Sequence, residues 1–160
     1  MFDRFKKSKE TSVYAPMDGT TKALSDVPDE AFSEKMLGDG IAVIPENGAV
    51  YSPVDGVISD ITDTKHAFCI TADDGAELLL HIGINTVNLK GDGFSVLVSA
   101  GEHVKKGDKI AQVDLSVLEK AELLPDTPLL LTEPEKYNIS CCEHKKVRGG
   151  TDVLFTYKKN

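Results

Sequence analysis

The sequence predicts an all-β fold: an antiparallel β-sandwich or barrel with internally duplicated turns and at most one or two short helices. Three observations predict it. Glycine and proline recur at short intervals between brief runs rich in Val, Ile, Leu and Thr, which is the rhythm of many short strands. A turn motif occurs twice, as Ala15-Pro16-Met17-Asp18-Gly19-Thr20 and as Ser52-Pro53-Val54-Asp55-Gly56-Val57. No helical stretch long enough for a parallel crossover separates the runs, so neighbouring strands are antiparallel.

Residues 1–12 are polar and basic and are expected to form a flexible N-terminal segment ahead of a single domain over 13–160. Within it, Phe2 and Phe5 would share one side of a short helix with Arg4, Lys6, Lys7 and Lys9 supplying charge. That pattern suits a weak peripheral membrane contact through residues 1–9. Strands are expected over 40–45, 48–52, 56–61, 67–71, 77–84, 94–98, 109–114 and 152–157. The segment 101–108 reads as a third turn between two apolar runs. The single expected helix covers 116–124, with Asp114 or Ser116 as its cap and Pro125 as its stop.

At 160 residues the chain suits one domain with one core. Its formal charge of -8 and pI near 5.0 argue against nucleic-acid binding, which needs a positive face. Neither a membrane span nor the apolar stretch of a signal peptide is present, so the expected location is the cytoplasm. Cys69, Cys141 and Cys142 are too few and too badly spaced for a disulfide framework or a four-ligand zinc site.

The informative stretch runs from Asp63 to Gly83, where two apolar runs flank Ala72-Asp73-Asp74-Gly75-Ala76. This reads as a hairpin. A two-residue loop at Asp73-Asp74 puts His66 directly opposite His81, and one at Asp74-Gly75 makes them diagonal neighbours on one face. A three-residue loop would send them to opposite faces. With either two-residue loop, His66, Phe68, Leu79 and His81 share one face, and Ala67, Cys69, Leu78 and Leu80 form the core side. Two imidazoles in an apolar collar are an odd thing to place on a surface for stability alone. Partial desolvation favours the neutral ring, whose free nitrogen is a nucleophile at neutral pH, and a second imidazole can donate to phosphoryl oxygens. Phosphoryl transfer needs mainly alignment and charge stabilisation, which such a pair supplies.

At these residues the sequence closely resembles the glucose-family enzyme IIA component of the bacterial phosphoenolpyruvate-dependent sugar phosphotransferase system. The resemblance is carried by Asp26-Val27-Pro28-Asp29 with Phe32, Gly38-Asp39-Gly40-Ile41-Ala42, Ser52-Pro53-Val54-Asp55-Gly56, Lys65-His66-Ala67-Phe68 and Leu80-His81-Ile82-Gly83-Ile84. It continues through Thr86-Val87, Leu89-Lys90-Gly91 and Gly93-Phe94, and covers residues 13–157. It implies a phosphotransferase component in which His81 takes the phosphoryl group from the histidine-containing phosphocarrier protein and passes it to a cysteine of the enzyme IIB domain of a sugar permease. His66 would assist, Thr64 would orient His66 by a hydrogen bond, and the backbone near Gly83 would fix the His81 ring. Asp39, Ile41, Phe68, Leu79 and Val87 would belong to the docking surface. The same resemblance implies a monomer with no required cofactor, and admits zinc only where His66 and His81 share a site with a partner. Regulatory targets are a further class of expected partner.

Two positions depart from the pattern: Asn85 and Asn88 stand where the family commonly carries acids. Docking is affected more than chemistry. The main rival reading is a regulatory binding protein that keeps the pocket without efficient phosphotransfer. Biotinyl and lipoyl carriers need a modifiable lysine in a Met-Lys-Met or Asp-Lys-Ala setting, which is absent. Zinc hydrolases need a His-x-His pair, and here Ile82-Gly83 follows His81. His103 and His144 lie in polar segments and are expected to be solvated.

Overall fold

The computed structural model describes residues 9–141 and 145–160. Strands β1 (Thr11–Tyr14) and β2 (Gly19–Ala23) precede a short helix α1 (Glu30–Ser33), followed by β3 (Asp39–Pro45) and β4 (Ala49–Tyr51). Next come β5 (Gly56–Ile61), β6 (Ala67–Ala72), β7 (Glu77–His81), β8 (Phe94–Val96), β9 (His103–Val104) and β10 (Lys109–Val113). Helix α2 (Leu115–Lys120) leads to β11 (Thr127–Leu131), β12 (Tyr137–Cys141), β13 (Lys146–Val147) and β14 (Val153–Lys159). No helix among the described residues is long and apolar enough to cross a membrane.

One sheet has eight strands in the order β13-β2-β3-β11-β7-β6-β5-β9, and two three-stranded sheets, β1-β14-β12 and β4-β10-β8, lie over it. Every pairing is antiparallel. Ile41, Val43, Phe68, Ile70, Leu78, Leu80 and Leu129 of the large sheet pack in one cluster with Val13, Phe155, Val50, Ile110 and Phe94 of the small ones. The fold is therefore a sandwich.

The repeated Pro-x-Asp-Gly turn marks a duplication that runs through the whole molecule. Tyr14 N–H donates to the Pro53 carbonyl at 2.9 Å, and Tyr51 N–H donates to the Pro16 carbonyl at 2.8 Å. Gly149 N–H donates to Asp18 Oδ1 at 2.8 Å, and Lys106 N–H to Asp55 Oδ1 at 2.9 Å. Each Asp thus ties its own turn to the equivalent distant loop. Gly107 and Gly150 meet between the halves with φ of 84° and 72°, so close that a Cβ on Gly150 would stand 3.1 Å from the Gly107 Cα. Exchanging β13 with β9, β2 with β5, β3 with β6 and β11 with β7 leaves the sheet order unchanged.

Several expectations are corrected. Thr11 and Ser12 already pair with Tyr157 and Thr156, so the expected flexible segment of residues 1–12 ends inside β1. Its first eight residues, and with them most of the amphipathic stretch, lie outside the described residues, as do Cys142 and His144. Thr127–Leu131 gives no alternation to mark a strand because all five residues are buried between neighbours on both sides. Helix α2 is shorter than expected: Asp114 caps it through Ser116 N–H, but Glu122 at φ 59° ends it, with Leu123 N–H returning to the Leu118 carbonyl at 2.9 Å. Pro125 only follows.

The 67–81 hairpin has the three-residue loop. Ala67 pairs with His81 and Phe68 with Leu80, around Asp73-Asp74-Gly75 with Gly75 at φ 93°. Asp74 holds this loop by accepting from Ala76 N–H, Thr11 Oγ1 and Tyr157 Oη. The β6 side chains are consequently reversed from expectation, with Phe68 and Ile70 in the core and Ala67 and Cys69 facing outward. The β7 side chains fall as expected, Leu78 and Leu80 inward and Leu79 and His81 outward.

Candidate functional site

Three connections converge on the outer face of the large sheet, where β7 ends. The first joins β5 to β6. Lys65 N–H closes on the Thr62 carbonyl at 2.8 Å with Lys65 at φ 62°, and this tight turn delivers His66 just before β6 begins. His66 lies ahead of the strand, so strand alternation does not govern its side chain. Its ring meets His81 with centroids 4.8 Å apart and planes at 78°, despite the three-residue hairpin loop.

The second connection joins β2 to β3. Asp29 caps α1 by accepting from Ala31 N–H at 2.9 Å, and the helix carries Phe32 to the other side of His81, centroids 5.1 Å apart at 61°. Phe32 packs with Leu24, Val27, Ala42, Ile84 and Leu130, and Leu79 lies against this group. A second apolar cluster on the outer sheet face thus forms the floor beneath the histidines.

The third connection follows β7. His81 Nδ1 stands 2.8 Å from the Gly83 carbonyl oxygen. A carbonyl only accepts, so Nδ1 carries the proton of the neutral ring and Nε2 keeps its lone pair. Gly83 has φ 77°, and a Cβ there would come within 2.5 Å of Thr86 Cγ2, so the turn requires glycine. Thr86 is buried and donates to the Ile82 carbonyl at 2.6 Å, which fixes the chain leaving His81.

His66 is 6% exposed. Burial, then the neighbouring His81, push its pKa from 6.5 down to about 4, against an opposing hydrogen bond to the Thr64 backbone. Thr64 Oγ1 lies 2.7 Å from His66 Nδ1. His81 is also held below the usual histidine value by burial, opposed by the Gly83 hydrogen bond and the charge of Asp29. Both rings are therefore neutral at pH 7. The arrangement offers one oriented nucleophilic nitrogen, a second imidazole beside it, and an apolar floor.

His81, His66, Thr64, Gly83 and Leu79 come together as the sequence implies. Val87 is 49% exposed on the turn after Gly83, open to a partner. Asp39 opens β3 and is ion-paired with Lys35 at 3.4 Å. Phe68 and Ile41 do not belong to the surface: both are fully buried, Phe68 because the hairpin register turns it inward and Ile41 because its side of β3 faces the sandwich interior. Asp29 and Phe32 carry part of the family resemblance, but no sequence pattern marked the helix that brings Phe32 onto His81. His103 is solvated as expected and pairs with Asp73 at 2.9 Å. Among the described residues, no three or more His, Cys, Asp or Glu side chains gather in a set that could hold a metal.

Comparison with known proteins places this geometry. The family model of the phosphoenolpyruvate-dependent sugar phosphotransferase system, EIIA 1, matches residues 11–137. The PTS system glucose-specific EIIA component of Haemophilus influenzae is 41% identical over 155 residues, covering 96% of this chain and 92% of that protein. The glucose-specific EIICBA component of Staphylococcus carnosus is 40% identical over 142 residues, covering 89% of this chain and 21% of that longer protein. A solved structure, glucose permease IIA from Mycoplasma capricolum, superposes with TM-score 0.85 at 39% identity, covering 92% of this chain and 96% of that one.

Proposed function

Because this chain belongs to the EIIA 1 family of the phosphoenolpyruvate-dependent sugar phosphotransferase system, we propose that it carries its phosphoryl group on His81 Nε2, with His66 as helper. The observation that carries the assignment is the 2.8 Å hydrogen bond from His81 Nδ1–H to the Gly83 carbonyl, which leaves Nε2 as the nucleophile. In the first step the Nε2 lone pair attacks phosphorus of the histidine-containing phosphocarrier protein. The donor P–N bond breaks and its electron pair returns to the donor ring. In the second step a thiolate of an enzyme IIB domain attacks the same phosphorus, and the electron pair of the breaking bond returns to His81 Nε2.

His66 serves mainly the onward step, donating from Nε2–H to a phosphoryl oxygen as the group passes to the thiolate, while Thr64 donates to its Nδ1. The floor of Phe32 and Leu79 keeps both rings neutral, and Val87 and Asp39 belong to the docking rim. The reading takes the residues from β1 onward, 11–160, as one phosphocarrier domain acting in the cytoplasm as a monomer. The fused EIICBA relative supports an enzyme IIB domain as the acceptor.

Incubation with phosphoenolpyruvate, enzyme I and the phosphocarrier protein, followed by intact-mass measurement, tests the assignment. The chain should gain one acid-labile phosphoryl group, and His81→Ala should gain none. Undiminished labelling of His81→Ala overturns the assignment, and a wild-type chain that is never labelled favours a purely regulatory binding protein.

A further inference from the structure

The carboxyl end of α2 and the segment that follows it enclose a cleft of about 470 Å³. Leu118, only 1% exposed, forms its floor, and Leu115, Leu123, Leu124 and Pro125 form its walls. Size and apolar lining match a small-molecule site. Glu119 and Glu122 complete the lining, and neither is ion-paired among the described residues. Lys120 lies between them in sequence but does not line the cleft. Local stability argues against both acids. They stand at the carboxyl end of α2, where the helix dipole favours cations, and Glu122 holds the left-handed position, φ 59°, that glycine or asparagine usually fills. Two acids kept against these preferences beside an apolar cleft point to a cation as their complement.

We propose that this cleft binds a small amphiphilic amine, its aliphatic or aromatic body against the leucines and its protonated nitrogen between Glu119 and Glu122. The net charge of -8 adds to the preference for a cation. The cleft also adjoins the histidine corner. Ile84 N–H donates to the Leu124 carbonyl at 2.9 Å, and a Cβ on Gly83 would stand 3.1 Å from Leu118 Cδ2. An occupant therefore rests against the turn whose Gly83 carbonyl orients His81.

The test titrates the full chain with n-hexylammonium, n-hexanol and n-hexanoate, probes of equal chain length that differ in charge, and follows methyl and amide NMR shifts. Hexylammonium should move the Leu118 and Leu124 methyls and the Ile84 amide along one saturation curve. It should bind a few-fold more tightly than hexanol, with hexanoate weaker still. Glu119→Gln and Glu122→Gln together change only exposed side chains, so the fold should persist. In that double variant hexylammonium should fall to the affinity of hexanol, while hexanol keeps its own. Hexanoate binding as tightly as hexylammonium, or a preference for the amine that survives in the double variant, overturns the proposal. So do hexylammonium shifts that avoid the cleft or never appear. If the same resonances move with protein concentration when no amine is present, a second copy of the chain is the occupant and the small-ligand assignment fails. No phosphoryl transfer enters these readings, so they stand or fall apart from the phosphocarrier assignment.

Discussion

The two halves of the duplicated scaffold end in matching corners of opposite character, one at His81 and one at Leu131. Each residue closes a central strand, and each pairs with the first residue of the neighbouring strand: His81 with Ala67, Leu131 with Asp39. The residue before that neighbour is His66 in one half and Gly38 in the other. A Cβ on Gly38 would overlap the Leu131 carbonyl oxygen, so this corner has no room for a side chain. Leu131 is fully buried, whereas His81 is reachable. The backbone frame is common to both, and the connections decide which corner reacts. Even the longer connection of the silent half serves the other one, since α1 brings Phe32 onto His81.

The comparison breaks most severely if the helper at the reactive corner is removed. His66→Gln should still be labelled at His81 by the phosphocarrier but pass phosphate to an enzyme IIB cysteine on the order of a hundredfold more slowly, the scale of a lost general acid–base or charge-stabilising partner. Near-normal onward transfer in single-turnover assays would show the two corners to be less different than argued.

Acid should weaken the His81 corner and spare the Leu131 corner. His66 titrates near 4 in the folded chain and near 6.5 when unfolded, so the unfolded state takes the proton first. Its contribution is complete above pH 6.5 and is lost as pH falls towards 4, up to about 3 kcal/mol for a depression of this size. His81 acts in the same direction. Urea midpoints measured between pH 7 and 4 should fall less steeply for His66→Gln, and identical slopes would remove the assigned cause.

Gly83→Ala sharpens the comparison from the backbone side. The left-handed turn and the Thr86 contact should make it cost about 2 kcal/mol. It should also displace the carbonyl that holds His81, so phosphorylation should slow more than the stability loss explains. A variant destabilised yet phosphorylated at the wild-type rate would separate the turn from the chemistry.

The smallest expected effect is at Asn85, which sits at φ 60° ahead of the exposed Val87 turn with no side-chain capping bond. Asn85→Asp restores a rim carboxylate and should speed phosphorylation by a basic phosphocarrier a few-fold at low ionic strength, fading with salt. A gain undiminished at high salt would argue against steering.

Much of this corner was legible in the sequence because its key residues do not depend on register. His66 follows a left-handed Lys65 and precedes the strand, so the two rings meet even though the hairpin loop has three residues instead of two. Phe68 enjoys no such protection. Its facing depends on the loop length, which Asp74 settles through Thr11 and Tyr157, residues distant in sequence. The duplicated turns were visible as Pro-x-Asp-Gly, but their loop partners Lys106 and Gly149 share too little sequence to be matched by eye. Thr127–Leu131 was hidden for a related reason: a strand buried on both sides has no polar face to alternate with.

The pairing of β1 with β14 sets a timetable for folding. Thr11 finds its partner only in Tyr157, and β2 finds an outer neighbour in Lys146–Val147. Neither local hairpins nor the early half of the chain can complete a layer of the sandwich, so its closing contacts span most of the polypeptide. Chains of such high contact order fold in milliseconds to seconds, well behind helical proteins of equal size. On a ribosome, the small sheet that holds β1 stays open until the last strand has emerged.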